Sequence, residues 1–471
     1  MKSTAKILII IVTWNKKEYV IDLLNSLSTL NFPRDQLDIL VIDNASNDGT
    51  VEAIESQFDA IQIIRNAENI GGTGGFNTGL AWAFEQPDAQ YDYLWLLDND
   101  VVVHQNALSE LVTILDENPD IAIAGSTMMQ LDYPWRINEM GAFVDQQSGT
   151  LLFNRHFEEI SNWKGKPVET LLTSDVDLSQ QLMHCQAKMD VDYVAAASLL
   201  IRAPVAKQAG LWMDFFIHFD DVEWCLRIRK AGHRIAVSAK SLIWHLSAMA
   251  KIPSWILYYD NRNILYLLEK HSDNDAIKHS IRWTLKKALH YQLAGKPDLA
   301  KLHLQAIADF EQGIKGKKNI QLPYKSEKIA KIAHILNDPT IKKILVPWTI
   351  NMQTSNIQSI FVHVMRERPE LEVCYFMAPH GAPRQLPSMA NITQISISSH
   401  VIPRYLKYYR MRRQFDLVLQ SDYQTIRPLS WIARKNLFIN DEDFCLRPAP
   451  KLSEITEMLP SFIKKWLQAG K

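Results

Sequence analysis

The stretch "YLWLLDND", Tyr93 to Asp100, sets an apolar run against two carboxylates placed two residues apart. The run reads as a buried strand. Side chains alternate along a strand, so Asp98 and Asp100 can point the same way. Two neighbouring carboxylates repel unless a cation lies between them. A hard divalent ion that keeps positions open for substrate phosphates suits such a pair. A polar turn after a buried strand gives the same letters, so the surroundings decide.

Working outward, the first half alternates strands with helices. "ILIIIV" is a strand, and after "TWN" comes a helical stripe of Tyr19, Val20, Leu23, Leu24, Leu27 and Leu30. "LDILVID" is a second strand, followed by "NASNDGT" and a helix from about Val51 to Phe58. "IQIIRN" is a third strand, and a glycine-rich loop then leads into a helix before "YLWLLDND". This alternation predicts an α/β fold with a mostly parallel sheet and helices on both faces. Ligands in such sheets bind beyond the carboxyl ends of the strands. Four consecutive strands each end there in a polar cluster: Thr13 and Asn15, Asp43 to Asp48, Asn69 to Asn77, and Asp98 to Asp100.

The glycine cluster "NIGGTGGFNTGL", Asn69 to Leu80, fits neither G-x-G-x-x-G nor the Lys-bearing phosphate loop. It predicts a loop in which Gly71, Gly72, Gly74 and Gly75 let backbone approach a diphosphate or sugar, with Asn69 and Asn77 fixing it by hydrogen bonds. A purely structural turn is the other reading. "VIDNASNDGT" offers Asp43, Ser46 and Asp48 as acceptors for the donors of a base or ribose, or as an Asx turn capping the next helix. "HFDDVEWCLRIRKAGH" carries Asp220, Asp221 and Glu223, more acid than a helix cap needs. A carboxylate facing the metal site could accept a proton from an attacking hydroxyl. "LIWH" places His245 past an apolar strand, as a structural histidine or a further metal ligand.

At 471 residues, two or three domains are expected. A net charge of -1 does not favour nucleic acid as a partner. Four scattered cysteines without a C-x-x-C pair exclude a cysteine-rich zinc module and fit a reducing compartment. The run Ile7 to Val12 is too short for a signal-peptide core, and no uninterrupted apolar stretch reaches membrane-spanning length. A cytoplasmic protein is expected, with room for peripheral membrane contact and for self-association.

Taken in order, "VTWN", "VIDNASNDGT", "NIGGTGGFNTGL", "LLDND", "FDDVEWCLRIRKAGH" and "WH" resemble glycosyltransferase family 2, most of all its rhamnosyltransferase and galactofuranosyltransferase-like members. The resemblance runs from about Lys6 to His245, with "YYDNRNILYLLEKH" as a weaker extension. It implies a GT-A fold and inverting transfer from a nucleotide-sugar to a glycan or lipid-linked saccharide, with Mn²⁺ or Mg²⁺ as cofactor. Asp43 would contact the base, Asp98 and Asp100 would hold the metal with His245, and Asp221 would be the general base, with Asp220 its close rival. Asn99, beside the donor, departs from the three-Asp form of some relatives, which weakens a claim for galactofuranose. A noncatalytic transferase-like scaffold is the alternative, and the intact acidic residues argue against it.

The expected division is a catalytic domain over 1–254, a helical extension over 255–325 and a smaller α/β domain over 326–471. The last has no glycine loop or acidic cluster of its own. Its tail, "EITEMLPSFIKKWLQAGK", reads as an amphipathic helix, expected to dock on its own protein rather than on lipid.

Overall fold

The computed structural model describes residues 5–88, 90–246, 255–320, 327–328, 331–347, 363–377, 392–420, 428–439, 443–456 and 459–468. The chain divides into two compact units, one of 1–252, 262–280 and 309–318, the other of 253–261, 281–308 and 319–471.

The first unit is built on a ten-stranded sheet. Its strands are β1 (Ile7–Thr13), β2 (Leu37–Asp43), β3 (Ile61–Arg65), β4 (Tyr93–Asp98), β5 (Val101–Val103), β6 (Ile121–Gln130), β7 (Ile137–Glu139), β10 (Lys188–Asp190), β11 (Leu199–Arg202) and β12 (Arg234–His245), while β8 (Ala142–Val144) and β9 (Leu151–Phe153) form a separate hairpin. The main order is β10-β12-β6-β11-β4-β1-β2-β3. β1 lies parallel to β2 and β4 with Thr13 opposite Asp43 and Val12 opposite Asp98, so the polar strand ends share one edge. β11 alone in the middle runs antiparallel, between β4 and β6. A reversed strand starts where its parallel neighbours finish, so the residues just before Leu199 are delivered to that same edge.

β1 shows why the apolar runs are continuous. Leu8 and Ile10 enter one core with Phe76 and Leu80, while Ile7, Ile9 and Ile11 enter the other with Leu23, Leu24 and Leu27. A sheet covered on both faces leaves no polar position in its central strands. α1 (Lys17–Leu27), α2 (Thr50–Gln57), α3 (Gly71–Glu85) and α4 (Ala107–Glu117) follow strands as the alternation predicts.

The glycine stretch departs from the expectation of a loop: α3 begins at Gly71 and contains all five glycines. The reason is close packing. A Cβ on Gly75 would meet Val12 Cγ1 at 2.3 Å, and one on Gly79 would meet Ile10 Cγ2 at 2.4 Å, so α3 rests with its backbone nearly against β1. Gly71, at φ +79°, sits under the Phe216 carbonyl, whereas a Cβ on Gly72 would meet nothing within 4 Å.

The second unit is another α/β body. Its seven-stranded sheet comprises β13 (Glu327–Lys328), β14 (Lys343–Val346), β15 (Glu372–Met377), β16 (Ile392–Ser396), β17 (Phe415–Gln420), β18 (Ala433–Ile439) and β19 (Asp443–Pro448), in the order β13-β19-β18-β17-β14-β15-β16. β18 through β16 are parallel. Ile344 and Leu417 face one core and Leu345 and Val418 the other. The sequence also predicts a helix from Gln358 to Arg366 in this unit; residues 358–362 lie outside the described residues, and 363–367 are helical. Among the described residues no helix is long and apolar enough to cross a membrane.

If α3 owes its glycines to packing, Gly79→Leu should overpack the α3–β1 contact and cost about 1–3 kcal/mol. Gly72→Ala, with open space around it, should stay within about 0.5 kcal/mol of the parent. Urea unfolding midpoints of the two variants give the comparison.

Candidate active site

The sheet edge carries three groups that could hold a cation. β4 ends on Asp98, the chain turns through Asn99, and Asp100 leads into β5. β5 pairs with the last residues of β12, Val101 opposite His245, which brings the imidazole beside the acids. His245 Nε2 lies 3.0 Å from Asp100 Oδ1 and 3.9 Å from Asp98 Oδ2. One ligand atom from each of the three falls within 4.8 Å of the others. Two carboxylate oxygens and one imidazole nitrogen match the donor preferences of Mn²⁺, and the acids alone suit Mg²⁺. Burial, then repulsion from Asp100, pushes Asp98 up to about 6. Burial opposes charge on His245, but its bond to Asp100 and the field of Asp98 raise it to about 9.

The second acidic group opens helix α5 (Asp220–Lys230). Phe216, His218 and Phe219 before it all have positive φ, 69°, 64° and 66°. Three such non-glycine residues are held only by surrounding structure. The amide of Asn263, fully buried, supplies it: Nδ2 lies 3.2, 2.8 and 3.0 Å from the carbonyls of Phe215, Ile217 and His218. Arg262 adds a bond to the Phe215 carbonyl at 2.9 Å. The "DNRN" that extended the sequence pattern is therefore the brace of this loop.

The loop delivers Asp220 and Asp221 to the site in different states. Asp220 is buried and accepts from Thr73 Oγ1 at 2.5 Å. Burial raises its pKa against that bond. Asp221 is more open; its Oδ2 accepts from Tyr193 OH at 3.2 Å and Ala196 N–H at 3.1 Å. Burial, then the charge of Asp220, pushes it up to about 8. Both feel Asp98, so the two acidic groups share one electrostatic neighbourhood. Glu223 stands apart. Its side chain is fully buried and ion-paired with Arg227 at 2.7 Å, Lys270 at 2.9 Å and His271 at 3.2 Å. Burial opposes its charge, yet His271, Arg227 and Lys270 hold it at about 2. It ties α5 to the helix α6 (Ile256–His271).

The remaining polar residues stitch the strand-end loops together. Asn99 Nδ2 donates to Thr13 Oγ1 at 3.0 Å, linking β4 to β1. Asn15 N–H donates to Ser46 Oγ at 2.9 Å, and Asn15 Oδ1 accepts from Asn47 N–H at 2.8 Å. Asp43, 2% exposed, accepts from Ser46 N–H at 3.1 Å. Asp48 accepts from Lys17 N–H at 3.1 Å and from the hydroxyl of Thr50, which makes it a loop fastener. Asn69 Oδ1 accepts from Gly71 N–H at 2.8 Å. Asn77 exchanges bonds with the Trp212 backbone at 2.8 and 3.0 Å, well inside α3. Thr73 and Tyr193 escaped the sequence reading. Thr73 stood there only as a letter between glycines, and Tyr193 sat in "VDYVAAAS" with no polar motif around it.

Known proteins were compared with this arrangement. The family described as "Glycosyltransferase like family 2" matches residues 5–262. Galactofuranosyltransferase GlfT2 of Mycobacterium tuberculosis is 24% identical over 254 residues, covering 53% of this chain and 38% of that protein. Abequosyltransferase RfbV of Salmonella typhimurium is 30% identical over 133 residues, covering 26% of this chain and 38% of that protein. The matched part thus spans well under half the length of these curated relatives. Among solved structures, GalNAc-T7 with UDP, GalNAc and Mn²⁺ superposes with a TM-score of 0.43 at 14% identity, over 67% of this chain and 57% of that one.

Two measurements test this geometry. If the triad takes Mn²⁺, the metal must displace the proton that His245 holds up to about 9, so affinity should weaken as pH falls below that value, by up to about tenfold per pH unit. Calorimetric titration between about pH 6 and about pH 9 checks the slope, and Asp100→Ala should abolish the binding. Asn263→Ala should release the strained loop, lowering turnover about tenfold to a hundredfold while donor affinity stays near the parent's.

Proposed function

The chain belongs to glycosyltransferase-like family 2, and from that premise we propose that it is an inverting, metal-dependent glycosyltransferase. The donor is a uridine or thymidine diphosphate sugar, with galactofuranose and rhamnose as the leading sugars. The acceptor is a hydroxyl of a glycan or lipid-linked saccharide in surface polysaccharide synthesis, and the reaction takes place on the cytoplasmic side of the membrane. One observation carries the reading: a cation-capable Asp98–Asp100–His245 triad lies within electrostatic reach of a second, partly exposed carboxylate, Asp221.

The division of labour follows from the environment of each group. Asp43, Thr13 and the loop fastened by Asn15, Ser46 and Asp48 cradle the nucleoside. Asp98, Asp100 and His245 hold the cation. A bound divalent ion supplies Lewis-acid neutralisation of the diphosphate, so no protonated leaving-group acid is needed. Asp221 accepts the proton of the acceptor hydroxyl. The freed oxygen bonds to the anomeric carbon from the face opposite the diphosphate, whose bond to that carbon breaks and carries its electron pair away. One displacement inverts the centre. Tyr193 and the Ala196 amide orient Asp221, while Thr73 keeps Asp220 turned to α3. This difference in partners and exposure favours Asp221 over Asp220 as the base.

A panel of nucleotide-sugars with and without Mn²⁺ or Mg²⁺, read by thermal unfolding and by release of nucleoside diphosphate, tests the class. No response to any uridine or thymidine sugar would sink it. Asp221→Asn should reduce turnover by about 10²–10⁴ with donor binding preserved. The parent's rate should rise with pH toward about 8, because below that value Asp221 is protonated and cannot accept.

A further inference from the structure

Two helices of the second unit keep their apolar faces in water. α9 (Val401–Arg410) connects β16 to β17 and packs through Tyr408, whose ring stacks on Phe376 at 5.7 Å, with Met411 buried just beyond it. Ile402, Tyr405, Leu406 and Tyr409 follow the i, i+3, i+4, i+7 spacing of a buried stripe, yet they are 49–74% exposed. α10 (Leu459–Gln468) repeats the pattern. Leu459, Ile463, Trp466 and Leu467 are 37–63% exposed, and none of its described side chains is buried. The expectation that this tail would dock on its own protein is not met by those side chains. A core stripe left open twice in one unit calls for an external covering.

Charge identifies the covering. Residues 400–413 contain five Lys and Arg and no acid, and α10 has Lys464 and Lys465 and no acid. A second copy of the chain would bring one basic rim against another, so self-association is opposed. An anionic surface is attracted by the same residues. Tyr and Trp place an apolar ring and a polar atom at a water–hydrocarbon boundary, while Arg and Lys reach from it to phosphate. We propose that the apolar stripe of α9, and likewise that of α10, is a membrane-docking face that lies in the interface of an anionic bilayer, its aliphatic and aromatic side chains among the acyl chains and its basic ones at the lipid phosphates. This rests on the membrane-side location proposed above, but not on the transfer reaction.

Sedimentation of the full chain with phosphatidylcholine vesicles, with and without phosphatidylglycerol, tests it. The parent should bind the anionic vesicles at least about tenfold better than the neutral ones, and high salt should reverse most of this. Arg410→Glu should weaken binding by about fivefold or more. Ile402→Ser with Tyr409→Ser, or Trp466→Ser, should weaken it further, with unfolding temperature unchanged since these side chains are exposed. Equal binding to both vesicle types overturns the proposal, as does undiminished binding by the variants. So does light scattering that shows the stripes closing a dimer while vesicles go unbound. A chain that binds vesicles but transfers no sugar would refute the enzymatic reading and leave this one standing.

Discussion

Repulsion among carboxylates governs the catalytic unit. Asp98 and Asp100 end a strand and Asp220 and Asp221 open a helix, yet Asp100 and Asp220 raise the cost of ionising Asp98, and Asp220 and Asp98 that of Asp221. The same acids raise His245, whose Nε2 lies 3.0 Å from Asp100. A cation between the carboxylates would relieve this repulsion. Neutral hydrogen bonds alone would not hold such a cluster together.

Holding the cluster also takes backbone strain. Three consecutive-neighbourhood residues with positive φ precede Asp220, and one buried amide, Asn263, faces the three carbonyls that the strained loop turns inward. Glu223 secures the same helix from its other side through Arg227, Lys270 and His271. The acids at the start of α5 are thus placed from two directions, by a neutral clamp and an ionic one. Removing the ionic one strands buried charge, which is the costlier loss.

Much of this was legible in the residues. Alternating apolar runs gave the strands of the first half, and the D-x-D spacing gave Asp98 and Asp100, because period and chemistry are local; His245 stood open between a structural and a ligand role, and the β5–β12 pairing is what brings it to the acids. The pairing of Asp220 with Thr73 was not, since 147 residues separate them and only the register of α3 against the loop joins them. The glycine stretch reads as a loop and is the start of a helix for a related reason. A glycine required by a neighbouring strand and one required by a ligand look alike in sequence, and it is the 2.3 Å that a Cβ on Gly75 would leave to Val12 that reveals the packing. Glu223 looked catalytic because it is acidic and adjacent. Its partners Lys270 and His271 close the "YYDNRNILYLLEKH" stretch, but nothing in those letters ties them to an acid 47 and 48 residues away.

The reversed strand β11 has an evolutionary consequence. β6 leaves the sheet at Gln130, at the edge shared with His245, and the chain returns through Tyr193 and Ala196 to enter β11 from that edge. Between them the chain adds β7, on β6, and β10, on β12, to that sheet, and the central order β12-β6-β11-β4 does not depend on the length of the rest. Descent can therefore vary the remainder of that cassette, and with it what surrounds Asp221, while the central strands stay untouched.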